Sequence, residues 1–251
     1  MVRRGRLVAV EGGSASGKTT LVRVAGRTLG WRPLPEAFDR LDPAPSLEFD
    51  SARALLELEA ALLSEEVRRY REARELCERG ATVLADTGFL GPLTYTRGLV
   101  DLGLAPPAAY RRLAAEGRSL VQHGNLGIPD LTVYLRTTST ERSRRARRSI
   151  GRHPASVFPR HDAVGAVEQR FFGTEFPAVV PGRFRSLRAN VPPATLGRRL
   201  RSIVEEGPET PSTPTDALAV LDALRLPSAG RTSAPTVKKP TRPAPLPRNG
   251  R

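Results

Sequence analysis

Cysteine is almost missing from this chain. Cys77 is the only one in 251 residues, which excludes an intrachain disulfide framework and a cysteine-based zinc cluster. Cys77 falls inside a helical pattern and reads as a small packing residue. Long apolar runs are missing too, and none approaches the roughly 18 consecutive residues that a membrane span requires. The apolar stretch at 7–10 is too short for the core of a secretory signal and leads straight into glycines. The expected setting is therefore cytoplasmic. Histidine is scarce, and His123, His153 and His161 are not spaced as a metal site. Length and a hydrophobic content of 39% suit one large α/β domain or two small ones with a sizeable core.

Acidic residues are in deficit. There are 40 Lys and Arg against 26 Asp and Glu, a formal net charge of +14. Two stretches hold the excess. Residues 227–251 carry six Lys or Arg and no acid, and residues 136–152 carry seven arginines against Glu141 alone. Elsewhere the chain is nearly balanced, so nucleic acid is not an expected partner except through the basic tail. Arginine strongly outnumbers lysine, a bias that a GC-rich genome produces without any function.

Apolar runs at 6–10, 31–36, 81–86, 130–135 and 184–189 read as strands, and helical patterns separate them. A first helix runs to about Leu29. A second, capped by Asp50 or Ser51, carries an apolar stripe of Leu55, Leu58, Leu62, Leu63 and Val67 and stops at Gly80. The helical region after residue 86 breaks near Pro106 and Pro107. Thr138 and Glu141 form a capping-box pattern at the head of an arginine-rich helix. Pro193 opens a helix with Leu196, Leu200, Ile203 and Val204 on one face. Strands alternating with helices imply a mostly parallel five-stranded sheet with helices on both faces. Residues 1–206 form the expected domain, and 207–251, rich in proline and threonine, read as a mostly disordered tail in which only 216–226 has helical character.

The chemistry begins at residues 12–19, Gly-Gly-Ser-Ala-Ser-Gly-Lys-Thr, which follow the first strand and lead into a helix. This is the spacing of a phosphate-binding loop in its required context. Glycines let successive N–H groups converge on phosphate oxygens, and the helix N-terminus adds its positive end. Gly12, Gly13, Ser14, Ala15, Ser16, Gly17, Lys18, Thr19 and Thr20 are thus the nucleotide-binding candidates, with ATP as donor. Lys18 reaches the terminal phosphates, and Thr19 holds Mg2+. Asparagine occurs at 125, 190 and 249, never in the N-K-x-D of guanine-specific GTPases, and no ABC-type signature is present.

Ligands in open α/β sheets sit beyond the carboxyl ends of the strands, where Glu11, Glu36 and Asp86 fall. Glu36 is the candidate to orient and deprotonate an acceptor hydroxyl, and Asp86 to organise magnesium water. Glu11 reads as structural.

Residues 8–12 and 18–21 resemble the opening of thymidylate kinases and deoxynucleoside kinases. Pro35-Glu36-Ala37, Ala85 to Leu90 and Tyr95 are similar to the ribosylnicotinamide-kinase-like branch of P-loop kinases, and residues 129–135 resemble a fourth-strand segment of thymidylate kinase. The resemblance covers residues 6–206 as an order of elements and implies the P-loop NTPase fold with a phosphotransferase activity. It implies a lid at about 137–162, whose arginines close over the transferring phosphoryl group; Arg144 and Arg148, four apart on a helix, are the candidates, the choice among the arginines is open, and a solvated basic helix or an RNA-contacting patch is the alternative. Phe89 and Tyr95 are candidates to line the acceptor pocket, with core packing the alternative for each, and a homodimer is left open. One departure stands out. Thymidylate kinases follow the third-strand Asp with Arg, whereas this chain has Asp86-Thr87-Gly88. Arg97 is the candidate replacement. The expected function is an ATP-dependent kinase acting on a nucleoside, a nucleotide or a similar small hydroxyl or phosphate acceptor. The alternative is a nucleotide-binding regulator or ATPase whose basic tail holds a partner.

Overall fold

A computed structural model describes residues 5–43, 45–46, 49, 51–148, 158–208 and 210–226. Five parallel strands form one sheet in the order β2-β3-β1-β4-β5: β1 (Leu7–Glu11), β2 (Arg32–Leu34), β3 (Val83–Asp86), β4 (Leu131–Arg136) and β5 (Phe184–Arg188). The expected strands are all present with ends shifted by at most two residues. β2 is the shortest. It lies at the sheet edge, where Pro33 leaves no ladder partner unsatisfied, and Pro35 follows its end.

The sheet is covered on both faces, as its continuous apolar strands require. Side chains alternate along β1: Val8 and Val10 face one side, Leu7 and Ala9 the other, and all four are fully buried. Against the first side pack α1 (Lys18–Leu29), through Leu21, Val22 and Ala25, and α8 (Pro193–Glu205), through Leu196, Leu200 and Val204. Against the second pack α2 (Ala52–Glu78), α3 (Gly91–Asp101) and α4 (Pro107–Gln122). The Ser51 hydroxyl caps α2, accepting from the Ala54 amide at 3.1 Å, while Asp50 lies outside the described residues. Along the expected α2 stripe Leu55 and Leu63 are buried, and Leu58 and Leu62 turn toward a cavity.

Between β4 and β5 run α5 (Ser139–Arg148), α6 (Phe158–Arg170), a π-helical turn (Phe171–Glu175) and α7 (Phe176–Val179). Thr138 Oγ1 accepts from the Glu141 amide at 3.2 Å and starts α5 as the capping pattern requires. Residues 149–157 of the expected lid, with His153, lie outside the described residues.

The fold continues past 206. A helix α9 (Pro214–Ala223), opened by a Thr213–Asp216 capping box, buries Ala217, Val220, Leu221 and Leu224 in the larger core. The Asp130 carboxylate ties this segment to the sheet, accepting from the Leu7 amide (2.9 Å), the Ser212 amide (2.9 Å) and Arg74 (2.7 Å). The helical character of 216–226 is borne out, but the surrounding proline and threonine gave no sign that the segment docks on the domain. The described unit reaches Leu226, and residues 227–251 lie outside those described.

Candidate active site

The loop after β1 is shaped by backbone that favours glycine. Gly12 has φ +145, and a Cβ there would stand 2.9 Å from both the Leu135 carbonyl and Ser16 Oγ. Gly17, at φ +103, caps α1. Between them Ala15 also takes a left-handed φ of +59. The resulting curl leaves buried Ser14 Oγ and Ser16 Oγ without a hydrogen-bond partner among the described residues. Unsatisfied buried donors around a positive helix end are what an anion site requires. Lys18 folds back over the loop, its Nζ donating to the Gly12 carbonyl at 2.7 Å.

The loop forms one wall of a cavity of about 470 Å3. The other walls are Glu36 and the turn after it, the α2 residues Leu58, Glu59, Leu62 and Glu66, the start of α3 through Tyr95, Arg145 of α5, and His161, Val164 and Glu168 of α6. The cavity therefore lies at the carboxyl ends of β1, β2 and β3, as expected for this sheet. Tyr95 and His161 meet edge to face at 5.4 Å.

Every residue expected in the loop from Gly12 to Thr20, except Gly13, lines this cavity, and so do Glu36 and Tyr95. Asp86 is buried behind the wall with Oδ1 lacking a hydrogen-bond partner among the described residues. Three expectations do not hold geometrically. Phe89 is fully buried core, 5.2 Å edge-on to Tyr70 and under the Arg69 guanidinium. Arg97 points away from the cavity, because it is two residues from Tyr95 and so on the opposite side of α3. It pairs with Asp101 at 2.9 Å and donates to the Leu224 carbonyl at 2.6 Å. Arg144 and Arg148 occupy the outer side of α5, where Arg144 pairs with Glu141 at 2.7 Å.

The arginines that reach the loop are their neighbours. Arg145 donates to the Ser16 carbonyl at 2.6 Å and the Ala189 carbonyl at 2.8 Å. Arg142 is buried against Gly13, pairs with Asp162 at 2.6 Å and thereby joins α5 to α6. Spacing alone does not distinguish 142 and 145 from 144 and 148. Their side of the helix is set by packing.

Arg69, fully buried on α2, was not legible as a site residue. It pairs with Glu66 and donates to the Asp86 carbonyl at 3.0 Å, holding the strand end where Thr87 turns left-handed at φ +66. The next residue, Gly88, is required by proximity, since a Cβ would stand 2.6 Å from Glu11 Oε1. That oxygen accepts from the Gly88 amide at 2.7 Å. Glu59 and Glu66, seven apart within the leucine stripe, were also missed. A carboxylate at an apolar-stripe position was the available signal.

Poor solvation dominates the electrostatics. Burial pushes the carboxyls of Glu11 and Glu59 up to about 8, and those of Glu66 and Glu168 up to about 7. Glu36 is raised by the same cause, with Lys18 opposing and Asp86 adding to the shift. Each folded carboxyl keeps its proton above the range where the unfolded chain releases it. Its stabilisation is complete below about pH 4.5 and is lost as pH rises through 7 to 8. The ligand-free melting temperature should therefore fall between pH 5.5 and 8.5, by roughly 5 °C or more. Glu11→Gln should reduce that slope. An unchanged melting temperature across this window would contradict the buried-carboxyl account.

No family model and no curated protein sequence matches the chain. Solved structures do. Deoxyadenosine kinase from M. mycoides with bound dATP superposes with a TM-score of 0.65 at 15% identity, covering 79% of this chain and 98% of that one. The same enzyme with dCMP as product gives 0.60 at 15% identity and the same coverage. Thymidylate kinase from Candida albicans gives 0.57 at 18% identity, over 80% of this chain and 92% of that one. The loop, the strand order and these superpositions agree: the chain has the fold of the P-loop nucleoside and nucleotide kinases.

Proposed function

We propose that this protein is an ATP-dependent phosphotransferase acting on a nucleoside, a nucleotide or a similar small hydroxyl or phosphate acceptor. One observation carries the reading: a single cavity is walled both by a phosphate loop and by a partly apolar chamber holding Glu36 and Tyr95. A donor polyphosphate and an organic acceptor can thus meet in one enclosure. The nucleoside and nucleotide kinases that share the fold support it. A cytoplasmic setting, where ATP is plentiful, belongs to the same reading. No helix among the described residues is long and apolar enough to cross a membrane.

The residues fit a nucleotide with its metal. The loop offers unpartnered buried hydroxyls, and Asp86 offers a buried carboxylate oxygen with no partner among the described residues. Thr19 and Asp86 would hold Mg2+, which when bound neutralises charge between the phosphates. Lys18 exchanges the Gly12 carbonyl for the terminal phosphate oxygens. Glu36 accepts the proton of the acceptor hydroxyl as its oxygen attacks phosphorus in line. A carboxylate whose proton affinity is raised by burial is a better base than one in water. Arg145, beside Ser16, adds positive charge at the loop, and the Arg142–Asp162 pair holds α6 across it to exclude water.

The direct test is a screen of nucleosides and nucleotides for acceptor-dependent ATP consumption, with the new phosphate located by mass spectrometry. One acceptor phosphorylated at catalytic turnover is the expected result. ATP hydrolysis that no acceptor stimulates would replace this reading with that of an ATPase.

A further inference from the structure

Charge is divided unevenly over the walls of the cavity. At the loop, Lys18 donates to the Gly12 carbonyl at 2.7 Å and Arg145 to the Ser16 carbonyl at 2.6 Å. They are the only lysine and arginine among the described wall residues, and both stand where a donor polyphosphate lies. The remaining walls carry carboxyls instead: Glu36 and Asp39 after β2, Glu59 and Glu66 on α2, and Glu168 on α6. Two arginines stand behind these walls, already engaged. Arg69 pairs with Glu66 and donates to the Asp86 carbonyl at 3.0 Å. The Arg160 guanidinium lies 4.3 Å from the centre of the Phe49 ring.

A second phosphate group in this chamber is poorly served. Its oxygens accept hydrogen bonds, and its negative charge needs cations once water is displaced. Whether the surrounding carboxyls hold their protons or release them, they supply no positive charge. A protonated carboxyl offers one O–H at most. An acceptor hydroxyl fares better, because its O–H donates to a carboxyl oxygen in either protonation state. Glu36 adds a chemical reason. A phosphate is already largely ionised at neutral pH and attacks as an oxyanion. A hydroxyl must give up a proton as its oxygen attacks phosphorus. A carboxyl base in the cavity wall is therefore of use only to a hydroxyl.

We propose that the acceptor is a hydroxyl compound carrying no phosphate, so that a nucleoside or similar sugar is phosphorylated and its monophosphate is not. The inference rests on the kinase reading and narrows it from two kinds of acceptor to one. In the step that follows, the acceptor O–H bond breaks and its proton passes to Glu36. The freed oxygen bonds to the γ-phosphorus of ATP, and ADP leaves with the electron pair of the broken P–O bond. The product then carries a phosphate among carboxyls, which favours its departure.

The test uses matched pairs: adenosine, cytidine, guanosine and thymidine, each against its own monophosphate, at saturating ATP. Whichever base is taken, the nucleoside should exceed its monophosphate by roughly a hundredfold or more in kcat/KM, the scale of a buried charge left without a counter-charge. Calorimetry with a non-hydrolysable ATP analogue should show the same order of affinities, which checks the preference without turnover. Asp39→Lys puts a cation on the exposed rim of the chamber, and Glu168→Gln removes a carboxyl from its wall. Each should narrow the preference by about three- to tenfold, through the KM for the monophosphate. A monophosphate used as well as its nucleoside overturns this inference and leaves the kinase reading standing. A preference that neither variant narrows overturns its assignment to these walls. ATP consumption that no acceptor of either kind stimulates overturns the kinase reading and this inference with it.

Discussion

Lys18→Ala should lower phosphoryl transfer by roughly a thousandfold or more while leaving the melting temperature nearly unchanged. Mutational losses at groups that stabilise charge developing in a transition state support that magnitude. The small effect on folding follows from what the side chain does without ligand. Its ammonium makes one hydrogen bond, to the Gly12 carbonyl, at a half-exposed position. Composition strengthens the case. Lys18 is the only lysine before residue 238 in a chain that uses arginine almost everywhere else. A compact ammonium differs from a planar guanidinium fork, so Lys18→Arg should also fail to restore turnover. The measurement is initial rate against acceptor at saturating ATP, paired with a thermal melt. Full turnover in Lys18→Ala would remove the loop from the mechanism.

The second large effect concerns stability. A chain ending at residue 207 should be unfolded or insoluble, whereas one ending at 226 should melt within a few degrees of the whole protein. Removing α9 takes away the buried Val220, Leu221 and Leu224 and uncovers the core beneath them. At about 2 kcal/mol for each large buried side chain, the loss is comparable to the 5–15 kcal/mol that holds a typical domain together. Three arginines would each lose a partner as well. Arg97 donates to the Leu224 carbonyl at 2.6 Å, Arg183 to the Pro211 carbonyl at 2.9 Å and Arg74 to the Ser212 hydroxyl at 2.5 Å. Circular-dichroism melts of the two truncations decide the matter. A stable, cooperative chain ending at 207 would show that α9 merely rests on the surface.

The sheet was legible because its physics is local and redundant. Continuous apolar runs such as 7–10 admit few readings other than buried parallel strands, and the loop carries its own context. Glu36 and Tyr95 were legible as well, one from its place at a strand end and the other from the resemblance. What was not legible depends on which way a helix is turned. Arg142 and Arg145 differ from Arg144 and Arg148 only in facing α6 and the loop. Arg97 and Tyr95 differ only by the two-residue step that separates opposite sides of α3. Phe89 went to the core because the left-handed turn at Thr87 sends the chain back under α2. α9 was legible only in part: residues 216–226 carry helical character, but nothing in the sequence of a ten-residue helix says that it docks on a distant core.

The route of the chain into α9 bears on how the protein is made. α8 lies on one side of the sheet and α9 on the other, so the polypeptide rounds the sheet near Asp130 and Ser212 between the two helices. During synthesis from the N-terminus, the α1 side can close once α8 has emerged. The α2–α4 side must wait for residues 214–224. A nascent chain stalled between those points would present uncovered leucines and phenylalanines to its surroundings. Ribosome-associated chaperones should therefore engage this protein after α8 has emerged, and release it only when α9 has docked.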